Sequence, residues 1–247
     1  MERNKWFPFE TYKNKVDSKM KNVFCFSHAG GSASTYRKWT LKKQDVNVIT
    51  VELPGVGSRR REEFLYNYKD FIDELAKNIH EKSKECEFYF FGHSMGAALA
   101  FYLAKHMQDK NLKTPKKIVV AGRQPPNEEN EIEFKTHMDD QALIDELKRY
   151  EATPKELLEN EEFLNIVIQD LRKAYTLNES YIYNGEKLNI DIVAHNGTSD
   201  FEANNDIMSR WASVTNKDFK IKEFDGNHFF IFNLGDEYED YLLKEFL

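Results

Sequence analysis

The segment Phe88-Tyr89-Phe90-Phe91-Gly92-His93-Ser94-Met95-Gly96-Ala97-Ala98-Leu99-Ala100 decides the fold. Four aromatic residues in a row predict a buried strand, and the small-residue run from Met95 predicts a helix that starts at once. Between them lies Gly-x-Ser-x-Gly. A strand that reverses so sharply into a helix leaves no room for a Cβ at Gly92 or Gly96. The turn lifts the Ser94 hydroxyl clear of the sheet and sets it at a helix N-terminus. Random placement of the glycines and serines of this chain yields on the order of 0.02 such motifs. Ser94 is therefore a candidate nucleophile rather than a serine in an ordinary glycine turn.

Outward from this segment, short apolar runs recur at Val23–Phe26, Val46–Val51, Ile118–Ala121, Ile190–Ala194 and Phe219–Phe224. The earliest of them, like Phe88–Phe91, are nearly continuous in hydrophobicity, as parallel strands covered on both faces should be. Tyr68–Lys82 and Met95–Met107 carry apolar residues at helical spacing. Strand and helix alternate, which predicts one α/β domain over 1–247 with a mostly parallel central sheet and helices on both faces. One interval breaks the rhythm. From Arg123 to Lys187 no strand is evident, and the gap far exceeds an ordinary connection. Asp140–Tyr150, with Leu143, Ile144 and Leu147 on one face, reads as a helix, as does Phe163–Leu171. Thr153-Pro154-Lys155-Glu156 has the form of a capping box. A helical insertion over roughly 124–187 would lie over the strand ends, where α/β ligands bind, and is expected to act as a lid.

A serine needs a base, and the base needs a partner to hold its tautomer. Of seven histidines, His80, His106 and His137 lie on or beside helical stretches and are expected to be solvated. His93 is too close along the backbone to reach Ser94, and His195 precedes the acid candidates. His228 follows the last strand run, in Phe224-Asp225-Gly226-Asn227-His228-Phe229-Phe230, and emerges at the same end of the sheet as Ser94. For the acid, Asp191 starts its strand and faces the wrong end. Asp200 lies just beyond that strand, and Asp206 belongs to the following helix. Ser94, Asp200 and His228 stand in the chain order typical of α/β-hydrolases. Backbone N–H groups of Met95 and of Ala29, in the small-residue loop Ser27–Ser34, are the expected oxyanion donors. His28 and Phe229 are candidate substrate contacts, though His28 fits equally well as a residue that holds its loop in place.

Composition narrows the classes. A formal charge of −7 argues against a nucleic-acid binder. No run of apolar residues is long enough for a membrane span, and Met1–Glu10 lacks the pattern of a signal peptide, so a cytoplasmic location is expected. Cys25 and Cys86 form neither a disulfide framework nor a metal-ligand spacing. Nothing in the sequence argues for an oligomer, and a monomer is expected.

Taken as a set, Phe26-Ser27-His28-Ala29-Gly30-Gly31-Ser32-Ala33, Leu53-Pro54-Gly55, Gly92-His93-Ser94-Met95-Gly96 and Gly226-Asn227-His228-Phe229-Phe230 resemble the type II thioesterases of nonribosomal peptide and polyketide synthesis. The resemblance extends over nearly the whole chain, including Asp145-Glu146-Leu147 and Thr153–Asn160. It implies an α/β-hydrolase fold, a triad of Ser94, Asp200 and His228, and oxyanion donors at Ala29 and Met95. It also implies hydrolysis of acyl groups carried as thioesters on the phosphopantetheine arm of acyl or peptidyl carrier proteins, with no metal or other cofactor. A general carboxylester hydrolase is the alternative. Three positions depart from the family pattern: Val56 stands where arginine commonly follows Pro-Gly, Ser27 replaces a proline and Asn227 replaces a glycine. Carrier proteins of the implied kind are acidic, so Arg59-Arg60-Arg61 is a candidate docking patch. The competing reading is a solvated charge run neutralised by Glu62 and Glu63.

Overall fold

Every one of the six apolar runs becomes a strand of a single sheet. The computed structural model describes residues 4–10, 20–41, 45–128, 134–150 and 155–247. The strands are β1 (Lys21–Phe26), β2 (Val46–Thr50), β3 (Phe88–His93), β4 (Lys117–Ala121), β5 (Asp191–Gly197) and β6 (Phe219–Phe224), in the spatial order β2-β1-β3-β4-β5-β6. All five pairings are parallel, with Phe24 opposite Phe90, Phe91 opposite Val119, and Ala194 opposite Ile221. Parallel pairing places the carboxyl ends of β1, β3, β5 and β6 along one edge, which is what gathers their loops into a single site.

The continuous hydrophobicity of the central strands has a direct cause. Alternate residues enter two different cores. Phe24, Phe26, Phe88, Phe90, Ile118 and Ile192 pack on one face against α1 (Ile72–Ser83) and α2 (Met95–Asp109). Val23, Cys25, Tyr89, Phe91, Val119 and Val193 pack on the other against α7 (Phe230–Asn233) and α8 (Asp236–Lys244). Cys25 is thus a buried free thiol, as is Cys86. In α1 the buried residues are Ile72, Leu75, Ala76, Ile79 and Ser83, a helical stripe. The predicted helix over Tyr68–Lys82 begins later than its apolar pattern. Asn67 caps a separate single turn, Tyr68–Asp70, before α1 starts.

Between β4 and β5 the described residues contain helices and no strand. These are α3 (Asp140–Tyr150), α4 (Lys155–Leu158) and α5 (Glu161–Asn178). The third, α5, is longer than the sequence pattern suggested, because Ala174 and Leu177 prolong the buried stripe of Ile168 and Leu171 past the charged pair Arg172-Lys173. Asn160 caps α5 by accepting a hydrogen bond from Phe163 N–H at 2.9 Å. Thr153 and Pro154 of the expected capping box lie outside the described residues. A short helix, α6 (Asn205–Ser209), follows β5 and contains Asp206 in its first turn. No described helix is long and apolar enough to cross a membrane.

Candidate active site

Ser94 sits between β3 and α2 with φ 53° and ψ −119°, a backbone state that non-glycine residues seldom adopt. Such strain costs on the order of 1–3 kcal/mol and persists only where the surroundings impose it. They do so here. Ser94 N–H donates to Ala121 O at 2.8 Å, and Ser94 O accepts from Ala97 N–H at 2.9 Å. A Cβ at Gly92 would lie 2.1 Å from Gly96 O, across the bend. A Cβ at Gly96 would meet a different obstacle, Phe26 O at 2.1 Å, at the end of the neighbouring β1. The second glycine therefore lets the elbow sit against the loop after β1, a tertiary demand rather than a local one.

Asp200 and His228 approach each other from the loops after β5 and β6. His228 Nδ1–H donates to Asp200 Oδ2 at 3.0 Å, and both side chains are buried. Asp200 Oδ1 accepts from the backbone N–H groups of Glu202 (3.0 Å) and Ala203 (3.1 Å), so the carboxylate cannot rotate away. The two loops are stitched together by Ser199 N–H to Gly226 O at 2.8 Å. A Cβ at Gly197 would fall 2.4 Å from Gly226 O, so this close approach requires glycine. With Nδ1 protonated towards Asp200, Nε2 of His228 is the nitrogen left to accept a proton. Asp191 opens β5 at the opposite end of the sheet, and Asp206 belongs to α6.

His93 has a part that its place in the motif did not reveal. Its buried Nε2–H donates to the backbone O of His228 at 2.8 Å. Burial, reinforced by His228 and His28, pushes His93 well below the usual histidine range and keeps it neutral. His195 is a core residue, bonded through Nδ1 to the Tyr238 hydroxyl at 2.9 Å. Two histidines expected to be solvated are partly buried and bonded instead. His106 meets Asp73 at 2.8 Å, and His80 Nδ1 accepts from Lys113 N–H at 3.2 Å.

Ser94, Met95, His228, Phe229, His28 and Ala29 all line one cavity of about 580 Å³, and Asp200 stands behind His228. Among the described residues, the backbone N–H groups of Met95 and Ala29 donate no hydrogen bond within the chain, which suits donors aimed at a ligand. The His28 ring lies edge-on to His93, Phe229 and Phe232 at 5.6, 5.3 and 5.5 Å. Burial and the neighbouring His228 push it down to about 4. The helices between β4 and β5 contribute Leu147 and Tyr150 from α3, and Val167 and Leu171 from α5. The Tyr150 ring lies tilted 5.0 Å from the His228 ring and stacks 5.5 Å from Phe201. Nothing in the sequence pattern of α3 singles it out.

Further contacts refine the reading of the motifs. Asn227, where a glycine is usual, donates from Nδ2 to Tyr150 O at 3.1 Å and accepts from Phe229 N–H at 2.9 Å. It thereby ties the His228 loop to the end of α3. Arg59 is not a free surface cation. It is buried, stacks on Trp6 at 4.4 Å and pairs with Glu62 at 2.7 Å, so this residue is neutralised as expected but is not solvated. Arg60 pairs with Asp170 of α5 at 2.9 Å. Glu52, absent from the sequence argument, is buried and accepts from Ala33 N–H and Ser58 N–H, each at 2.8 Å. It binds the loop after β1 to the loop after β2.

Comparison with known proteins agrees with this geometry. The family described as Thioesterase domain matches residues 21–242. The chain is 29% identical over 245 residues to the gramicidin S biosynthesis protein GrsT of Aneurinibacillus migulanus, covering 98% of this chain and 94% of that protein. It is 33% identical over 214 residues to a protein of Brevibacillus parabrevis named linear gramicidin dehydrogenase LgrE, covering 85% of this chain and 81% of that one. Among solved structures it is similar to YbtT, the type II thioesterase from the yersiniabactin NRPS/PKS pathway. That likeness has a TM-score of 0.79 at 25% identity and covers 93% of each chain. The family match runs from the first residue of β1 into α8, over the sheet of an α/β-hydrolase fold. The chain belongs to the thioesterase family.

Proposed function

We propose that this thioesterase removes acyl groups from the phosphopantetheine arm of carrier proteins in nonribosomal peptide or polyketide synthesis. Ser94 is the nucleophile, His228 the general base and Asp200 the residue that orients it. The observation that carries this reading is the convergence of a strained elbow serine and a carboxylate-held histidine on one cavity. Dehydrogenase activity, the one in the second relative's name, calls for neither.

In the proposed reaction Ser94 Oγ attacks the thioester carbonyl while His228 Nε2 takes its proton. The tetrahedral oxyanion is met by the backbone N–H groups of Met95 and Ala29, and one such donor is worth about 3 kcal/mol. The C–S bond then breaks, and the thiol of the arm leaves with the proton from His228. Water, deprotonated by the same imidazole, attacks the acyl-serine and releases the acid. This sequence draws on no metal or organic cofactor. The insertion over 124–187 would act as a lid, because α3 and α5 supply cavity walls directly above the elbow loops. The enzyme is taken to work as a cytoplasmic monomer and to meet its carrier protein in trans.

The test is intact-mass analysis after mixing with an acyl-carrier protein that turns over slowly. The native enzyme should gain the acyl mass and Ser94→Ala should not. An acylated alanine variant would move the nucleophile elsewhere. Simple esters hydrolysed as fast as carrier-bound thioesters would favour a general carboxylester hydrolase.

A further inference from the structure

The cavity wall near His228 carries charged side chains among apolar ones such as Phe229, Leu147 and Leu171. Lys135, in the turn Lys135–His137 ahead of α3, donates from Nζ to Glu202 Oε1 at 2.7 Å and to the Tyr150 hydroxyl at 2.6 Å. The same nitrogen lies 2.8 Å from Glu146 Oε1. Three ammonium protons thus meet three acceptors. Tyr150 O–H in turn approaches Glu146 Oε1 at 3.4 Å. All four side chains line the cavity, and they come from the turn before α3, from α3 itself and from the loop after β5. Burial works against ionisation of both Lys135 and Glu202, but each outweighs that cost for the other. Lys135 is raised chiefly by Glu202, and Glu202 is held down to about 2 by Lys135 and His228.

An acyl chain gains about fourfold in binding for every methylene buried against an apolar wall. A wall of paired charges offers no such gain. Covering it with alkyl strips water from the ions and returns none of their hydrogen bonds. Moving Lys135 aside to make room would strand two half-buried carboxyl groups, of which burial already pushes Glu146 up. Groups that donate or accept hydrogen bonds can, in contrast, replace the water they displace.

We propose that Lys135, Glu146, Glu202 and Tyr150 act together as a specificity filter. The cavity takes short acyl groups, and longer ones that carry hydrogen-bonding substituents, and it turns away extended alkyl chains. This rests on the thioester-hydrolase reading above. The filter also touches the catalytic geometry, since Glu202 N–H is one of the two donors that hold Asp200 Oδ1.

The experiment is a kcat/KM series on N-acetylcysteamine thioesters from acetyl to decanoyl, with 6-hydroxyhexanoyl beside hexanoyl. The native enzyme should gain far less than about fourfold per methylene, reach its maximum before octanoyl, and accept the hydroxylated chain at least as well as hexanoyl. A steady rise of about fourfold per methylene through decanoyl, with the hydroxylated chain strongly disfavoured, would overturn the filter. Replacing the network together (Lys135→Met, Glu146→Leu and Glu202→Gln) should raise decanoyl relative to acetyl by about tenfold or more, the gain of two or more buried methylenes. Glu146→Gln alone, which keeps a polar wall, should preserve the native order of substrates. Melting curves identify any variant that does not fold, and the native series decides the matter without them. An unchanged order in a folded triple variant also counts against the filter. If the native enzyme hydrolyses none of these thioesters, nor carrier-bound acyl groups, the hydrolase reading falls and the filter with it.

Discussion

At the scale of single residues, Ser94 and His93 show a site built at the expense of local comfort. Ser94 holds a left-handed backbone conformation that glycine would adopt without strain. Ser94→Gly should therefore lose turnover yet unfold at a higher temperature, with a gain on the order of 1 kcal/mol once the entropy of glycine is deducted from the relieved strain. A melting temperature below that of Ser94→Ala would show that the elbow is not strained. Asp200→Asn should cost several orders of magnitude in kcat by disfavouring the working tautomer of His228, whereas Asp206→Asn should be mild. The reverse outcome would hand the role to Asp206. His93 acts through the backbone of His228, so His93→Leu leaves a buried carbonyl without its donor, a loss of about 1–3 kcal/mol. His93→Gln restores an N–H and should recover much of kcat. Equal kcat in the leucine and glutamine variants would reduce His93 to core packing.

Among the elements, α3 carries two leucines that the helical pattern treats alike and the structure separates. Leu143 is buried in the packing of the insertion, whereas Leu147 faces the cavity. Leu143→Asp should lower the melting temperature and depress all substrates together, since an unpaired buried carboxylate costs several kcal/mol. Leu147→Asp should leave stability nearly unchanged and alter the ranking of acyl groups. Steady-state kinetics on several acyl thioesters, read beside thermal unfolding, checks both, and matching behaviour of the two variants would count against the cavity assignment of Leu147. The reason is geometric. A helix stripe about 100° wide spans both a packing surface and a cavity wall, and periodicity marks the stripe without dividing it.

Over the whole molecule, acid should act through histidines buried in neutral form. His93 and His195 are fully buried, and burial pushes His195 down to about 3 and His93 well below its ordinary range. The unfolded chain takes up these protons near pH 6.5 and the folded chain does not. Stability present above pH 6.5 should therefore be lost as pH falls, at about 1.4 kcal/mol per pH unit for each histidine. Urea unfolding between pH 7 and 5 measures the slope, and His195→Gln should make it shallower; an identical slope in that variant would remove His195 from the account. The net charge of −7 bears on encounter as well. If the partner is an acidic carrier protein, kcat/KM on carrier-bound substrate should rise with added salt, while small thioesters respond little. A fall with salt would point to a basic docking patch. Arg59 could not supply one, because it is buried against Trp6 and Glu62.

What the sequence determined by itself was whatever is written in short-range pattern. The six strands follow from apolar runs that feed two cores at once. The elbow follows from two glycines flanking Ser94, and the gap from 123 to 187 announced helices where a strand was due. Asp200 and His228 could be singled out because parallel strands send their loops to one edge. Tertiary structure alone decided what depends on partners distant in the chain. Glu52 lies 19 residues from Ala33, Glu202 lies 67 from Lys135, and His93 lies 135 from His228. Arg59 reads as a surface charge until Trp6 covers it, and Asn227 reads as a departure until its side chain meets Tyr150 O. Hydrophobic period and turn chemistry act over a few residues, so they are legible in a line of letters. A buried polar contact is set by which loops the fold brings together, and no local pattern records that.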